Sequence, residues 1–351
     1  MKTLLVTLLL VQTLFGVESF KVKNIGIDEA YQFPYLIANK QSHKRVTENI
    51  NTYLHLRYLE LLPKSYKKNL FEKVNEGEGM PSLLVHSFDV EQNPKFLSVY
   101  MRIEGCGAYC EEADIYHTFL VQSGQVVLTK ALFTKEGLAK INLLNHKKVQ
   151  QTIKEFLKKE EHGDAEQREL YQECLEKDFK GKINEETKFS IFKNKLTIYS
   201  GRCSNHAMRA LDDIGDFENS YALDEVKKYL SPVGKYLLNP KVKTLKNVEM
   251  VEGIYRGKIA NKYPIGLFIQ NVYDDGSLSA MYWYKKYRQP IELDGHYENG
   301  ILKLYVKEHN EVEKKWINVE SFVGTLKNNR FKGTWTNLES GKALGFDLKV
   351  F

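Results

Sequence analysis

Past its first twenty residues the chain holds no apolar run long enough to cross a bilayer, which takes about 20 residues, so no transmembrane anchor is expected. HExxH, GxSxG and a phosphate-cradling glycine loop are all missing. That removes the common zinc-hydrolase, serine-hydrolase and nucleotide-binding signatures. Ser98 and Ser190 fall in strand-like stretches, not on strand-to-helix elbows. Lys plus Arg number 51 against 45 Asp plus Glu, a net charge of +6 that is spread along the chain. With no concentrated basic stripe, a nucleic-acid partner is not expected. Cysteine is scarce, with four in 351 residues. Cys106 and Cys110 lack the two-residue gap of a redox pair, and no His or Cys cluster stands beside them to hold a metal. The sequence calls for no metal and no cofactor.

What is present describes an exported protein of two domains. A chain of 351 residues is long for one compact domain and comfortable for two. Residues 1–19 have the form of a secretory signal. Lys2 supplies the positive start, and Leu4 to Leu14 is apolar apart from Thr7, Gln12 and Thr13. Gly16-Val17-Glu18-Ser19 then places small residues near a cleavage point. No cysteine follows for a lipid to modify. A periplasmic or secreted location is therefore expected, where cysteines pair. Cys106–Cys110, across a glycine-containing turn, and Cys174–Cys203 are the expected disulfides. Cross-pairing remains open at this level.

Residues 20–245 read as an α+β domain, an antiparallel sheet with helices. Ile50, Tyr53, Leu54, Leu56 and Leu61 form an apolar stripe in a helix near Val46 to Leu61, which Pro63 ends. Leu83 to Val90 and Phe96 to Ile103 alternate as paired strands, and Ile115 to Val121 turns through Ser123-Gly124 into Val126 to Leu128. Leu138, Ile141, Leu144, Val149, Ile153, Phe156 and Leu157 recur at helical spacing, and a further helix follows from Ala165 to Leu175. Phe189 to Phe192 and Leu196 to Tyr199 are strands. Ser204 or Asn205 caps a short helix predicted through Leu211, and Asp224 another through Leu230. Pro240 and the polar run to Asn247 read as a linker.

From 248 to 351 the pattern is nearly all strand. Asp274-Asp275-Gly276 and Glu298-Asn299-Gly300 are hairpin turns, and Asn328-Asn329 and Ser340-Gly341 are further turns. Eight strands are predicted near 252–259, 264–272, 277–285, 290–297, 300–308, 318–327, 330–336 and 342–350. Their even spacing predicts an eight-stranded up-and-down antiparallel barrel, whose closure removes exposed sheet edges.

Three features of the first domain carry a resemblance. One is the helix containing Ile50-Asn51. Another is the run Leu97-Ser98-Val99 with Phe119-Leu120-Val121-Gln122-Ser123-Gly124-Gln125 and Leu132-Phe133. The third is Phe189-Ser190, Leu196-Thr197-Ile198 and Asp224-Glu225-Val226-Lys227-Lys228-Tyr229-Leu230. Over about residues 30–238 this pattern resembles the extracellular module of RsiV-type anti-sigma factors and the N-terminal module of PdaC-type peptidoglycan deacetylases. The Cys106/Cys110 pair and the segment Arg202 to Asp213 depart from the family's usual forms. No deacetylase domain follows. The β-domain, with Tyr255-Arg256-Gly257-Lys258-Ile259, Tyr282-Trp283-Tyr284 and Gly333-Thr334-Trp335, is similar to small secreted bacterial β-domains, and loosely to avidin-type barrels in fold alone.

The richest polar cluster is Arg202, His206, Arg209, Asp212 and Asp213. On a helix from Asn205, His206 and Arg209 would share a face, and a histidine near a carboxylate can exchange protons. The simpler reading is an ion-pair network that fixes this segment, with Cys203 tying down its start. Asp212 to Asp216 lacks the alternating ligand spacing of a calcium loop. In the β-domain Tyr282 and Tyr284 share one face and Trp283 takes the other; these aromatics suit barrel core or sugar stacking. The expectation is an exported, non-enzymatic binding protein of the bacterial cell envelope. From the resemblance, its partner would be peptidoglycan or a wall-degrading enzyme such as lysozyme. The alternative is a hydrolase or deacetylase acting on envelope glycan through His206 and Asp212 or Asp213.

Overall fold

The computed structural model describes residues 20–26, 32–63, 83–106, 110–159, 163–176, 182–184, 187–192, 195–205, 207–245, 250–311 and 314–350. The signal-like segment 1–19, His206 and the side chain of Cys106 lie outside the described residues.

The chain opens with a hairpin of β1 (Phe20–Asn24) and β2 (Pro34–Ala38), followed by helix α1 (Lys44–Leu59). Strands β3 (Leu83–Gln92), β4 (Phe96–Cys106), β5 (Cys110–Leu120) and β6 (Val126–Val127) form an antiparallel sheet in chain order. Helices α2 (Lys135–Lys158) and α3 (Ala165–Glu176) come next. A second antiparallel sheet joins β7 (Lys188–Phe192), β8 (Lys195–Ser200) and β9 (Phe217–Ala222). Short helices α4 (Leu223–Val226) and α5 (Pro232–Leu238) end the α+β region.

Local chemistry explains the main elements. The Thr134 side chain caps α2 by accepting from the Gly137 N–H at 2.9 Å. Ile141, Val149 and Ile153 then recur on its buried face. Asn145, fully buried on that face, donates to Ser200 Oγ at 2.6 Å and accepts from Tyr221 Oη at 2.9 Å, joining α2 to β8 and β9. Helix α1 is held differently. The Asn51 amide accepts from the Leu36 N–H and donates to the Leu36 carbonyl, both at 2.9 Å, as a neighbouring strand would. The apolar stripe understates how deep this helix lies. From Val46 to Leu56 every residue but Glu48 is buried.

Eight strands then close into a barrel: β10 (Gly253–Ile259), β11 (Tyr263–Val272), β12 (Ser277–Tyr284), β13 (Ile291–Glu298), β14 (Ile301–Asn310), β15 (Lys315–Lys327), β16 (Arg330–Asn337) and β17 (Ala343–Lys349). Each pairs with the next, and β10 pairs with β17. Asn299 and Gly300 take positive φ of 50° and 79°, the two-residue turn that matches strand twist. Tyr255, Leu267, Tyr282, Leu304, Phe322 and Phe346 fill the interior with their alternate neighbours outward. The α+β and barrel architecture is as the pattern predicts.

The two regions share a core. Ile254, Phe268, Met281 and Trp283 point outward from the barrel yet are almost fully buried, packed with α1 and with Leu97, Val99 and Phe119 of the first sheet. The rings of Tyr53 and Phe268 meet edge to face at 5.2 Å.

Two local elements differ from expectation. Asp224, the predicted cap, lies inside the first turn of α4, whose N-cap is Ala222, and the helix gives way to a 3-10 turn at Lys227–Tyr229. The helix predicted from Asn205 through Leu211 is reduced to a single 3-10 turn, Arg209–Leu211. The Asp212 carboxylate takes the Ser204 N–H at 3.0 Å, and Asn205 Oδ1 takes the Met208 N–H at 3.0 Å. These side-chain acceptors offer the backbone an alternative to helical bonding. Cys203 is also bonded to Cys174 on α3, with their Cα atoms 5.5 Å apart. The backbones of Cys106 and Cys110 face each other in the β4–β5 register, and Cys110 is disulfide-bonded.

Phe268→Ala should cost about 3–5 kcal/mol in urea unfolding, as for a core phenylalanine; a loss below about 0.5 kcal/mol, normal for an exposed residue, would show that the outer barrel face is not a shared core. Replacing Cys174 and Cys203 by serine opens a loop of sequence separation 29 and should lower stability by about 3 kcal/mol. An unchanged urea midpoint would refute that contribution.

Candidate functional site

The segment richest in polar residues is tied up internally. Arg202 and Arg209 both turn to Glu111 at the start of β5, Arg209 at 3.5 Å. Asp212 is buried, with Oδ1 accepting from Tyr171 Oη at 2.9 Å and from the Gly215 N–H at 3.0 Å. Burial alone would raise its carboxyl, but the hydrogen bonds from Ser204, Tyr171 and Gly215 outweigh it and hold the group below the usual carboxylate range. Asp213 is exposed. The structure thus brings Arg202 and Arg209 together around a carboxylate on the first sheet and gives Asp212 three donors. Among the described residues, no group of three or more His, Cys, Asp or Glu side chains is placed to hold a metal ion, and no helix is long and apolar enough to cross a membrane.

A cleft lies elsewhere, between α1 and the outer face of β10 to β12. It has a volume of about 680 Å³ and is lined by Lys44, Arg45, Arg256, Lys258, Lys285 and Arg288, with Glu48 as the one carboxylate among its described residues. Each cation arrives for a local reason. Arg256 and Lys258 alternate outward on β10, while Lys285 and Arg288 lie in the connection from β12 to β13. Arg288 takes a left-handed φ of 59° and donates through Nε to the Leu62 carbonyl at 3.3 Å. Lys44 and Arg45 start α1, whose first turn has no acidic residue and no side-chain cap. Cations at the positive end of a helix are electrostatically unfavourable.

Trp283 forms the floor. Its ring lies so close over Gly266 that a Cβ there would sit 2.1 Å from ring carbon Cζ2. The Arg256 guanidinium stands above the ring, 5.9 Å from its centroid. Arg256 donates to Asn49 Oδ1 at 3.2 Å and Thr52 Oγ1 at 3.1 Å, with Glu48 at 3.5 Å. Its guanidinium is drawn below its ordinary value by burial first, with Arg288 and Arg45 acting against Glu48. The cleft therefore holds like charges in partial burial, and an anion entering it would relieve their repulsion.

His55, buried on α1, also borders the cleft. Its Nδ1 lies 2.5 Å from the Asn51 carbonyl, so Nδ1 carries the proton. Burial, with Arg288 adding to it, pushes this imidazole down to about 4. On the far side of α1, His117 lines a second, smaller cleft of about 270 Å³ with Tyr53, Tyr58 and Arg57. Burial, then Arg57 and Lys188, push it down to about 3.

Of the aromatic triplet, Trp283 belongs to the cleft, Tyr282 to the barrel interior and Tyr284 to the barrel end. Sequence reasoning missed all six cations of the cleft. Only Lys44-Arg45, adjacent cations at a helix start, left a readable signal. No family model matches the chain, and no curated protein matches it.

Acid stability should report the buried imidazoles. His55 and His117 are neutral in the fold, but protonate in the unfolded chain below about pH 6.5. Between that value and their lowered folded values the unfolded state binds more protons. Stability is therefore full above about pH 6.5 and falls as the pH drops toward 4. Urea midpoints at pH 7.5 and 4.5 should show the decline, and His55→Gln should make it shallower. An equally steep decline in the variant would show that His55 is not buried neutral.

Proposed function

We propose that this chain is an exported, non-enzymatic binding protein of the bacterial cell envelope, and that the cleft between α1 and the barrel takes a carboxylate-bearing polymer, with peptidoglycan as the candidate. The observation that carries this reading is the ratio of six cations to one carboxylate among the described residues around a single cleft. Two further facts support it. The Arg256 guanidinium is fixed by Asn49 and Thr52 above Trp283, which holds its positive charge in place on the cleft wall. The disulfide from Cys174 to Cys203 suits an oxidising compartment. The stem peptides of peptidoglycan carry free carboxylates, so chain and polymer are complementary. A wall-degrading enzyme such as lysozyme, the other partner suggested by the resemblance, would have to present acidic groups to the same cleft.

Co-sedimentation with purified peptidoglycan tests the reading. Binding should weaken as salt is raised, because the exposed lysines are screened. Reversing two of those exposed charges, Lys258→Glu with Lys285→Glu, should weaken it by about tenfold or more at low salt. If the unaltered protein stays in the supernatant at low ionic strength, peptidoglycan is not the ligand. If the double variant sediments as well as the parent, the cleft is not the site.

A further inference from the structure

The cleft stops at one end of the barrel, where exposed aromatic side chains collect. In an up-and-down barrel, connections alternate between ends, so the turns after β10, β12, β14 and β16 share one mouth. Four large apolar residues are exposed there: Tyr263 (39%), Tyr287 (60%), Trp316 (67%) and Leu338 (43%). A file of rings leads inward from them. Tyr287 meets Tyr284 edge to face at 6.2 Å, and Tyr284 meets Tyr282 at 5.7 Å. At its inner end stands a carboxylate, Glu320, whose Oε2 accepts from Tyr282 Oη at 2.6 Å and from Trp335 Nε1 at 3.0 Å. Both bonds fall on one oxygen, and among the described residues Oε1 carries no hydrogen bond.

We propose that this mouth is a sugar-binding platform, on which Tyr263 and Tyr287 stack against a pyranose ring and Glu320 accepts hydrogen bonds from its hydroxyl groups. The proposal rests on the cleft reading above and extends it to the substrate class, a glycan that bears acidic side groups. Glu320 can accept from hydroxyls, and a sugar ring stacking on Tyr263 and Tyr287 would share these side chains with Lys262 and Lys286, whose ammonium groups stand 5.3 and 5.2 Å from the two ring centroids. A pyranose offers both the C–H faces that aromatic rings favour and the hydroxyl donors. The two surfaces are continuous in the chain. Lys285 and Arg288 of the cleft lie on the same connection as Tyr287, and Pro264, which lines the cleft, follows Tyr263. One ligand can therefore place carboxylates in the cleft and a sugar ring on the rim.

Three probes separate the parts: a disaccharide-peptide released from peptidoglycan, its free stem peptide, and an uncharged N-acetylglucosamine tetramer. By calorimetry the disaccharide-peptide should bind about tenfold more tightly than the free peptide. Tyr263→Ala with Tyr287→Ala, both at exposed positions, should erase that difference and leave free-peptide binding as it was. Lys258→Glu with Lys285→Glu should weaken both charged probes and spare the tetramer. Equal binding of the two charged probes, or a difference that survives the tyrosine substitutions, overturns the platform while the cleft stands. Binding of the tetramer alone, lost with the tyrosines, keeps the platform and overturns the cleft. No binding of any probe overturns both.

Discussion

Helix α1 is enclosed on nearly every side, and the rest of the molecule depends on that. One face packs on the first sheet through Ile50 and Tyr53, which meet Leu97, Val99 and Phe119. Another meets the outside of the barrel, where Phe268 and Trp283 are as buried as interior residues. A helix buried all round must satisfy its polar side chains internally. Asn51 does so on the Leu36 backbone, Asn49 on the Ser123 carbonyl at 2.9 Å and on Arg256, and His55 on the Asn51 carbonyl. The apolar area buried between the regions is what turns two neighbouring units into one structure.

The same enclosure creates the cleft. Where α1 begins, the barrel surface curves away, and the uncovered wedge is lined by cations from three separate stretches of chain. Three other polar clusters are matched internally. Asp212 has three donors, Asn145 bridges a helix to a sheet, and Arg202 and Arg209 share Glu111. In the wedge, among the described residues, Glu48 is the one carboxylate beside six positive side chains.

Much of the architecture was legible from the residues. Alternation and paired turns specified an eight-stranded barrel, since period-two patterning and left-handed turn residues are local properties. The long helix near 138–157 followed from apolar periodicity, and of the pairings the cysteines left open the structure holds the expected Cys174–Cys203 bond. The short helix expected after Ser204 did not form, because a carboxylate eight residues away captured the Ser204 N–H. Propensity sees neighbours along the helix, not a side chain returning from a loop.

Strand number, pairing order and the face of each barrel residue were thus determined by the sequence itself, because each depends on residues close together in the chain. The site was not. The Arg202 to Asp213 cluster is prominent because its polar residues fall in one short segment, whereas the cations of the cleft are spread from Lys44 to Arg288. Arg256 on a strand and Lys44 on a helix each read as an ordinary solvated charge. Only the packing of Phe268 and Trp283 against α1 sets those two elements side by side. A field of one sign arises from distances in space, and those distances are decided when two apolar faces more than 200 residues apart close on each other.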